Sequence, residues 1–141
     1  MPQSRPLSRL ATRYLAFLDR SQSADAPGQA EDAWTDALLE TLATDRPALC
    51  MDAILAALAA CTTAEQAALI AAGPLERLLE ANGPAIIDAI EARAPQTPRL
   101  VFALTGVWRP EQANPLLWAR IDALTETTPG LDSGAPLPPC A

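Results

Sequence analysis

Apolar residues along this chain recur every three or four positions, the spacing that places side chains on one face of an α-helix. The first such segment, residues 6–19, predicts an amphipathic helix with its apolar face at Leu7, Leu10, Tyr14, Phe17 and Leu18. After a polar loop, a second helix is predicted over about residues 30–44, with inward positions at Trp34, Ala37, Leu38 and Leu42. Both helices therefore need neighbours that cover their apolar faces.

A third segment, from Pro47 to about Cys61, is apolar almost all round after Asp52. A helix without a polar face is covered on several sides, so this segment is predicted to be the central element of the core. Thr62 and Glu65 then match a capping box that opens a short fourth helix.

Steps from glycine or a polar residue to proline divide the rest of the chain. Glycine ends a helix at little cost, and proline fits the first turn of the next one. Gly73-Pro74 and Gly83-Pro84 therefore predict the starts of a fifth helix, with Leu75, Leu78 and Leu79 inward, and of a sixth. Thr97-Pro98 and Asn114-Pro115 predict a seventh and an eighth, with inward faces at Leu100, Val101, Leu104 and Trp108, and at Leu117, Trp118, Ile121 and Leu124.

These elements predict an all-α fold, because β-branched and aromatic residues are sparse while Ala and Leu dominate. The expected architecture is an irregular bundle or solenoid-like stack of about seven or eight short antiparallel helices, forming a single domain over residues 1–126. Residues 127–141 are rich in Pro and Gly without apolar periodicity, which predicts a disordered tail.

The charged residues exclude several chemistries. All ten basic residues are Arg, and there is no His or Lys to serve as an imidazole base, a zinc or di-iron ligand, or a Schiff-base amine. We therefore expect no metal, no cofactor and no catalytic residue. The formal net charge of -7 disfavours nucleic acid as a partner, except through a basic patch at Arg5, Arg9 and Arg13.

The chain is expected to be cytoplasmic and free of membrane attachment. Arg9, Thr12 and Arg13 interrupt every apolar run near the N-terminus, which disfavours a secretory signal. The uninterrupted apolar run over residues 53–61 is too short for the roughly 30 Å of a bilayer core.

Asp32, Asp36 and Glu40 form a carboxylate stripe, because their i, i+4, i+8 spacing places them on one helix face. Like charges at this spacing repel, so a compensating partner is expected. The Arg5, Arg9 and Arg13 stripe of the first helix could supply it across an antiparallel hairpin. The alternatives are docking of a basic partner protein and simple solvation.

Two further groups could carry recognition. Glu76 and Glu80 lie on the outer side of the predicted fifth helix, where they are either a solvated face or a contact for a partner. Trp108 and Arg109 are of the residue types most frequent at interface hot spots. Their alternative role is structural, with both tryptophans in the core and Arg109 stacked over one of them or capping helix carbonyls.

The chain carries, in order, the segments RYL (13–15), AW (33–34), DRP (45–47), AGPLERLL (72–79), IDAIE (87–91) and LTGVW (104–108). Over about residues 10–124 it thereby resembles a family of small, uncharacterised bacterial proteins defined by a domain of unknown function. The elements GPLExLL and GVW are the most specific parts of the resemblance. It implies a helical fold and a bacterial source, and it carries over no catalytic residue.

The leading functional hypothesis is a non-enzymatic acidic interaction module, such as an immunity or inhibitor protein that neutralises a basic partner protein. Its contacts would be the carboxylates Asp32, Asp36, Glu40, Glu76 and Glu80. The alternative is a small ligand-binding protein or enzyme, with Asp88, Glu91, Arg93 and Arg109 converging in an interhelical pocket. DNA binding through the N-terminal arginines is a third hypothesis, and it requires those arginines to be free of the carboxylate stripe.

Overall fold

The computed structural model describes residues 4–21 and 29–140, and all regular elements within these ranges are helical. The α-helices are α1 (Ser4–Ser21), α2 (Gln29–Asp45), α3 (Pro47–Ala60), α4 (Ala64–Ile70), α5 (Glu76–Arg93), α6 (Pro98–Leu104) and α7 (Pro115–Thr125). A π-helical turn, Ala71–Leu75, joins α4 to α5, and short 3-10 turns cover Ala94–Gln96 and Leu131–Ser133. The prediction of an all-α bundle is confirmed. None of the described helices has both the length and the apolarity needed to cross a bilayer.

The Gly73-Pro74 step does not end a helix, whereas the Gly83-Pro84 step follows a break in helical geometry at which two helical segments meet across a kink. The predicted count of seven or eight helices was slightly off. Residues 64–93, expected to form three helices, run as one rod, and the described ranges hold six such rods. The π-helical turn contains Pro74, and the wider hydrogen-bonding pattern of such a turn accommodates its missing N–H. Asn82 leaves helical geometry (φ −145°, ψ 30°), so the rod kinks just before the second proline.

The kink at Asn82 also fastens α5 to α2. The Asn82 side-chain Nδ2 donates to the carbonyl oxygens of Ala43 at 2.7 Å and Thr44 at 3.1 Å. The last carbonyls of a helix lack partners within it, so this amide caps the C-terminal end of α2. Asn82 therefore connects the kink in α5 to the C-terminal end of α2.

Helix α3 is the centre of the core, as its apolar sequence predicts. It contacts α1, α2, α4, α5 and α6, and its buried residues are Cys50, Met51, Ala53, Ile54, Leu55, Ala57 and Leu58. Burial raises the pKa of the Cys50 thiol to about 11, although Arg77 opposes the shift. Cys50 is thus a neutral core side chain at physiological pH.

Residues 127–140, predicted to be a disordered tail, run back along the helices. The Leu131 N–H donates to Thr105 Oγ1 at 3.1 Å, just beyond α6. Farther along, Arg99 Nε donates to the Pro138 carbonyl at 2.8 Å. The same guanidinium donates to the Leu58 carbonyl at 2.7 Å, so Arg99 joins this segment to the end of α3.

Candidate functional site: a cleft of carboxylates and tryptophan

The helix α5 presents opposite faces to the core and to the surface. Leu78 and Leu79 are buried together with Leu75 of the π-helical turn, as their spacing predicts. Glu76 is half-buried and Glu80 is exposed, one turn apart on the other side. The two carboxylates predicted as partner contacts therefore stay available at the surface.

These carboxylates lie at a cleft of about 260 Å³ between α5, the α6–α7 loop and the start of α7. Its lining consists of Glu76, Leu79, Glu80, Pro84, Val107, Trp108, Pro110, Gln112, Ala113, Asn114, Leu117 and Trp118. Leu79, Leu117 and Trp118 are buried and give the cleft an apolar base. Leu117 comes close to α5 because residue 83 is glycine: a Cβ there would lie 2.5 Å from Leu117 Cδ2.

Trp108 lies at the cleft with 63% of its surface exposed, so the expectation that it faces inward was wrong. Helix α6 ends at Leu104, and residues 105–110 leave helical structure well before the tryptophan. The backbone N–H groups of Gly106 and Val107 bond three residues back, which closes the helix. The indole is therefore carried by a loop and lies beside Glu76 and Glu80 in the cleft wall.

Of the two roles considered for Arg109, an interface contact and a structural role, its contacts match the structural one. Its guanidinium lies 4.8 Å from the centre of the Trp118 ring and forms an ion pair with Asp122. Its charge is therefore met within the chain, and it is not among the residues lining the cleft. Trp118 packs in the core, whereas Trp108 does not, so the prediction that both tryptophans are core residues was half right.

The electrostatics of the cleft centre on Glu76. Burial raises the pKa of the Glu76 carboxyl above its ordinary value, and the nearby Glu80 charge raises it further, while the Trp108 backbone N–H lowers it. Among the described residues, neither Glu76 nor Glu80 has an ion-pair partner. The cleft is therefore an acidic site whose two carboxylates are not matched by an arginine in the described part of the chain.

The stripe of Asp32, Asp36 and Glu40 turns from the core to solvent along α2. Asp32 is 2% exposed, Asp36 is half-buried and Glu40 is exposed. With 3.6 residues per turn, each step of four residues rotates about 40° past a full turn, so the three residues do not share one environment. Only Glu40 is left for a partner, and it lies outside the cleft.

The arginines that compensate this stripe are mostly not the predicted ones. Asp32 forms an ion pair with Arg20 and lies 3.8 Å from Arg13, while Asp36 pairs with Arg77 at 2.9 Å. Arg9 has no ion-pair partner among the described residues, and the Arg5 side chain lies outside them. The hairpin between α1 and α2 is thus ion-paired, but chiefly through Arg20 at its closed end.

Helix α2 is rotated relative to the prediction. Asp32, Thr35, Leu39 and Ala43 face the core, whereas Trp34 is 51% and Leu38 38% exposed. Trp34, Ala37 and Leu38 were therefore wrongly placed inward, because apolar residues occur on both sides of this helix. The outward side forms what we call the α1–α2 groove, which sequence reasoning missed; its apolar lining is Pro6, Leu7, Leu10, Trp34, Leu38, Leu42 and Leu49.

The residues named for an enzymatic or ligand pocket do not come together. Arg120 pairs with both Asp88 and Glu91, whereas Arg93 lies 4.0 Å from Asp52 and Arg109 pairs with Asp122. The Arg120 hydrogen bond lowers the pKa of the Glu91 carboxyl. Within residues 4–21 and 29–140, no three cysteine or carboxylate side chains are grouped so that they could hold a metal ion.

Comparison with known proteins identifies a family for this chain but does not identify an activity. No curated protein and no solved structure matches the chain significantly. One family model does match, over residues 22–128, which is most of the 141-residue chain and includes the whole cleft. The chain therefore belongs to the family described as a Family of unknown function, DUF6869.

Proposed function

We propose that this protein is a non-enzymatic interaction module whose cleft binds an Arg or Lys side chain of a partner protein. The observation that carries this proposal is the convergence of Glu76, Glu80 and Trp108 on one cleft that none of the arginines with described side chains lines. Two carboxylates one helical turn apart repel each other, so a cation between them is stabilised by both.

The cleft has the size and lining for a single basic side chain. Its volume of about 260 Å³ is below the roughly 300–1,000 Å³ typical of sites for drug-sized ligands. Leu79 and Leu117 offer an apolar base for the methylene stem of Arg or Lys. The exposed Trp108 indole offers a face for the cation itself, an arrangement that contributes about 0.5–2 kcal/mol.

The charge of the whole chain supports the same partner chemistry. A net charge of -7 accelerates encounter with a basic protein and makes the association sensitive to salt. Immunity and inhibitor proteins that neutralise a basic partner use surfaces of this kind, and that is the specific role we propose. Glu40, exposed on α2, is the one carboxylate of the predicted stripe that is left for a contact outside the cleft.

The proposal is tested first with a minimal probe. NMR titration of the full chain with a short peptide containing one Arg is expected to shift the Trp108 indole N–H and the Glu76 amide. The same peptide with neutral citrulline in place of Arg serves as the matched control. Trp34 lies outside the cleft and serves as an internal reference. Equal shifts with both peptides, or shifts at Trp34 alone, contradict the proposal.

Variants then connect the cleft to a protein partner. Glu76→Gln with Glu80→Gln is expected to weaken binding of the Arg peptide about tenfold or more, since a hydrogen bond to a charged group contributes about 1.5–3 kcal/mol. Glu65→Gln, at an exposed carboxylate on α4, is the matched control. In a low-salt affinity purification, a partner retained by wild type and Glu65→Gln should be lost with the double variant. Retention by all three proteins rejects the cleft as the binding site.

A further inference from the structure

The α1–α2 groove is a second surface, independent of the cleft, and it is built by two antiparallel helices. Arg20 near the end of α1 pairs with Asp32 near the start of α2, while Leu7 and Leu42 lie toward the other end of the hairpin and line the groove. Between them lies an open apolar groove of about 770 Å³. Its apolar positions on α2, from Trp34 to Leu42, span about 12 Å or two helical turns.

The rotation of α2 makes this groove costly for an isolated chain. The helix buries Asp32 and Thr35 and leaves Trp34 and Leu38 in solvent. Burial of a carboxylate is unfavourable unless it is paired, and an exposed tryptophan forgoes its large hydrophobic contribution. Contiguous exposed apolar surfaces of this kind mark interaction sites in soluble proteins.

The charges at the groove are all positive. Arg9, Arg13 and Arg46 lie among the residues that line it, and none of the carboxylates with described side chains does, although the chain has seventeen acidic residues against ten basic ones. Arg9 and Arg46 are exposed and have no ion-pair partner in the described part of the chain. This surface therefore selects an occupant that combines apolar anchors with acidic flanks.

We propose that an acidic amphipathic helix of a partner protein docks in the α1–α2 groove. Leucine-type anchors at i, i+3, i+4 and i+7 match a groove two helical turns long, and flanking carboxylates reach Arg9 and Arg46. A second copy of this chain, packed symmetrically on the same face, brings the arginines of both copies together. A phosphate backbone gains nothing from the apolar lining, and binding to an anionic lipid surface is an outcome that the experiment below separates from binding of a helix.

The probe is a labelled peptide of about sixteen residues, with leucines at this helical spacing and glutamates elsewhere. We expect it to bind the full chain in fluorescence anisotropy and to shift the Trp34 indole N–H in NMR. The matched control is the same peptide with glutamine replacing glutamate, which keeps the leucine anchors and which we expect to bind severalfold more weakly. No binding by the acidic peptide, or equal binding by both peptides, overturns the proposal.

Variants identify the surface. Leu38→Gln is expected to weaken peptide binding about tenfold, whereas Leu116→Gln, at a leucine 79% exposed on α7 and outside the groove, should leave it unchanged. Arg9→Gln with Arg46→Gln should weaken binding severalfold and flatten its dependence on salt. Equal effects of the two leucine variants exclude the groove. Self-association abolished by Leu38→Gln, or binding to vesicles of anionic lipid but not to the peptide, assigns the groove to another occupant and rejects the proposal.

Discussion

Helices α2 and α5 carry similar sequences but present opposite residues to the core. Both contain leucines and a pair of carboxylates spaced by four. In α5 the leucines are buried and Glu80 lies in solvent, whereas in α2 Asp32 is buried and Trp34 lies in solvent. The difference follows from the neighbouring charges. Arginines reach Asp32 and Asp36 of α2, whereas Glu76 and Glu80 at the start of α5 have no ion-pair partner among the described residues.

Ion pairs can thus favour a helix rotation that the apolar residues of the helix do not favour. Leu39 and Ala43 lie on the buried side of α2, and Leu38 and Leu42 lie toward the groove. Trp34, Leu38 and Leu42 carry more apolar surface than Leu39 and Ala43, so burial alone does not explain the observed rotation. The pairing of Asp32 with Arg20 and of Asp36 with Arg77 favours it. The result is one helix that offers carboxylates for binding and another that offers hydrophobic residues.

The largest expected effect tests this difference with two leucines. Leu78 of α5 is 0% exposed, so Leu78→Ala should cost about 2–5 kcal/mol in the free energy of unfolding. Leu38 of α2 already lies at the surface, and Leu38→Ala should cost less than about 1 kcal/mol. Urea unfolding of both variants measures the contrast. Similar losses would show that α2 faces the core in the predicted orientation and not in the observed one.

A smaller effect is expected at the carboxylates of α2. Asp32→Ala removes the buried partner of Arg20 and should destabilise the protein by about 1–3 kcal/mol, less than for a fully buried pair because Arg20 is partly exposed. Glu40→Ala, eight residues along the same stripe, should change stability by no more than about 0.5 kcal/mol. The midpoints of urea unfolding compare the two variants, and equal midpoints contradict the role assigned to the Asp32–Arg20 pair.

Sequence patterns were reliable where one physical signal dominated. The starts of α3, α6 and α7 at Pro47, Pro98 and Pro115 follow from proline's fit to the first helical turn. The same signal failed at Pro74, which lies inside a π-helical turn, and at Pro84 it marked a kink within a rod and not the start of a separate one. A π-helical turn and a kink accommodate them there, and both depend on packing against other helices, which periodicity along the chain does not report.

The candidate site was predictable in its residues but not in its grouping. Glu76 and Glu80 follow from the leucine pattern of α5, since the opposite face must be outward. Glu76 and Glu80 share a cleft with Trp108 only because α6 ends at Leu104 and a loop carries the tryptophan. The helical spacing of Leu100, Leu104 and Trp108 predicts a longer helix, so the sequence did not indicate this grouping. The α1–α2 groove was missed for the reason discussed above, because ion pairs between distant residues set the rotation of α2.

The smallest expected effect concerns the unpaired carboxylates of α5. Burial, with the Glu80 charge adding to it, raises the pKa of Glu76, so this carboxyl group binds its proton more tightly in the folded than in the unfolded protein. Its stabilising contribution is complete below its ordinary pKa and is lost as the pH rises through the raised value. Ionised Glu76 therefore lowers stability at pH 7, and Glu76→Gln should raise the urea midpoint there, with the gain disappearing near pH 4.

The pKa of Glu91, on the same helix, is shifted in the opposite direction to that of Glu76. The Arg120 hydrogen bond lowers its pKa, so its contribution to stability is present above its ordinary pKa and is lost as the pH falls through the lowered value. Glu91→Gln should therefore lower the urea midpoint at pH 7.

A Glu76→Gln protein that is less stable than wild type at pH 7 would mean that the cleft carboxylate is compensated within the chain. In that case a basic partner would gain little from Glu76, whereas the expected rise in stability identifies it as a charge retained for binding at the expense of the fold.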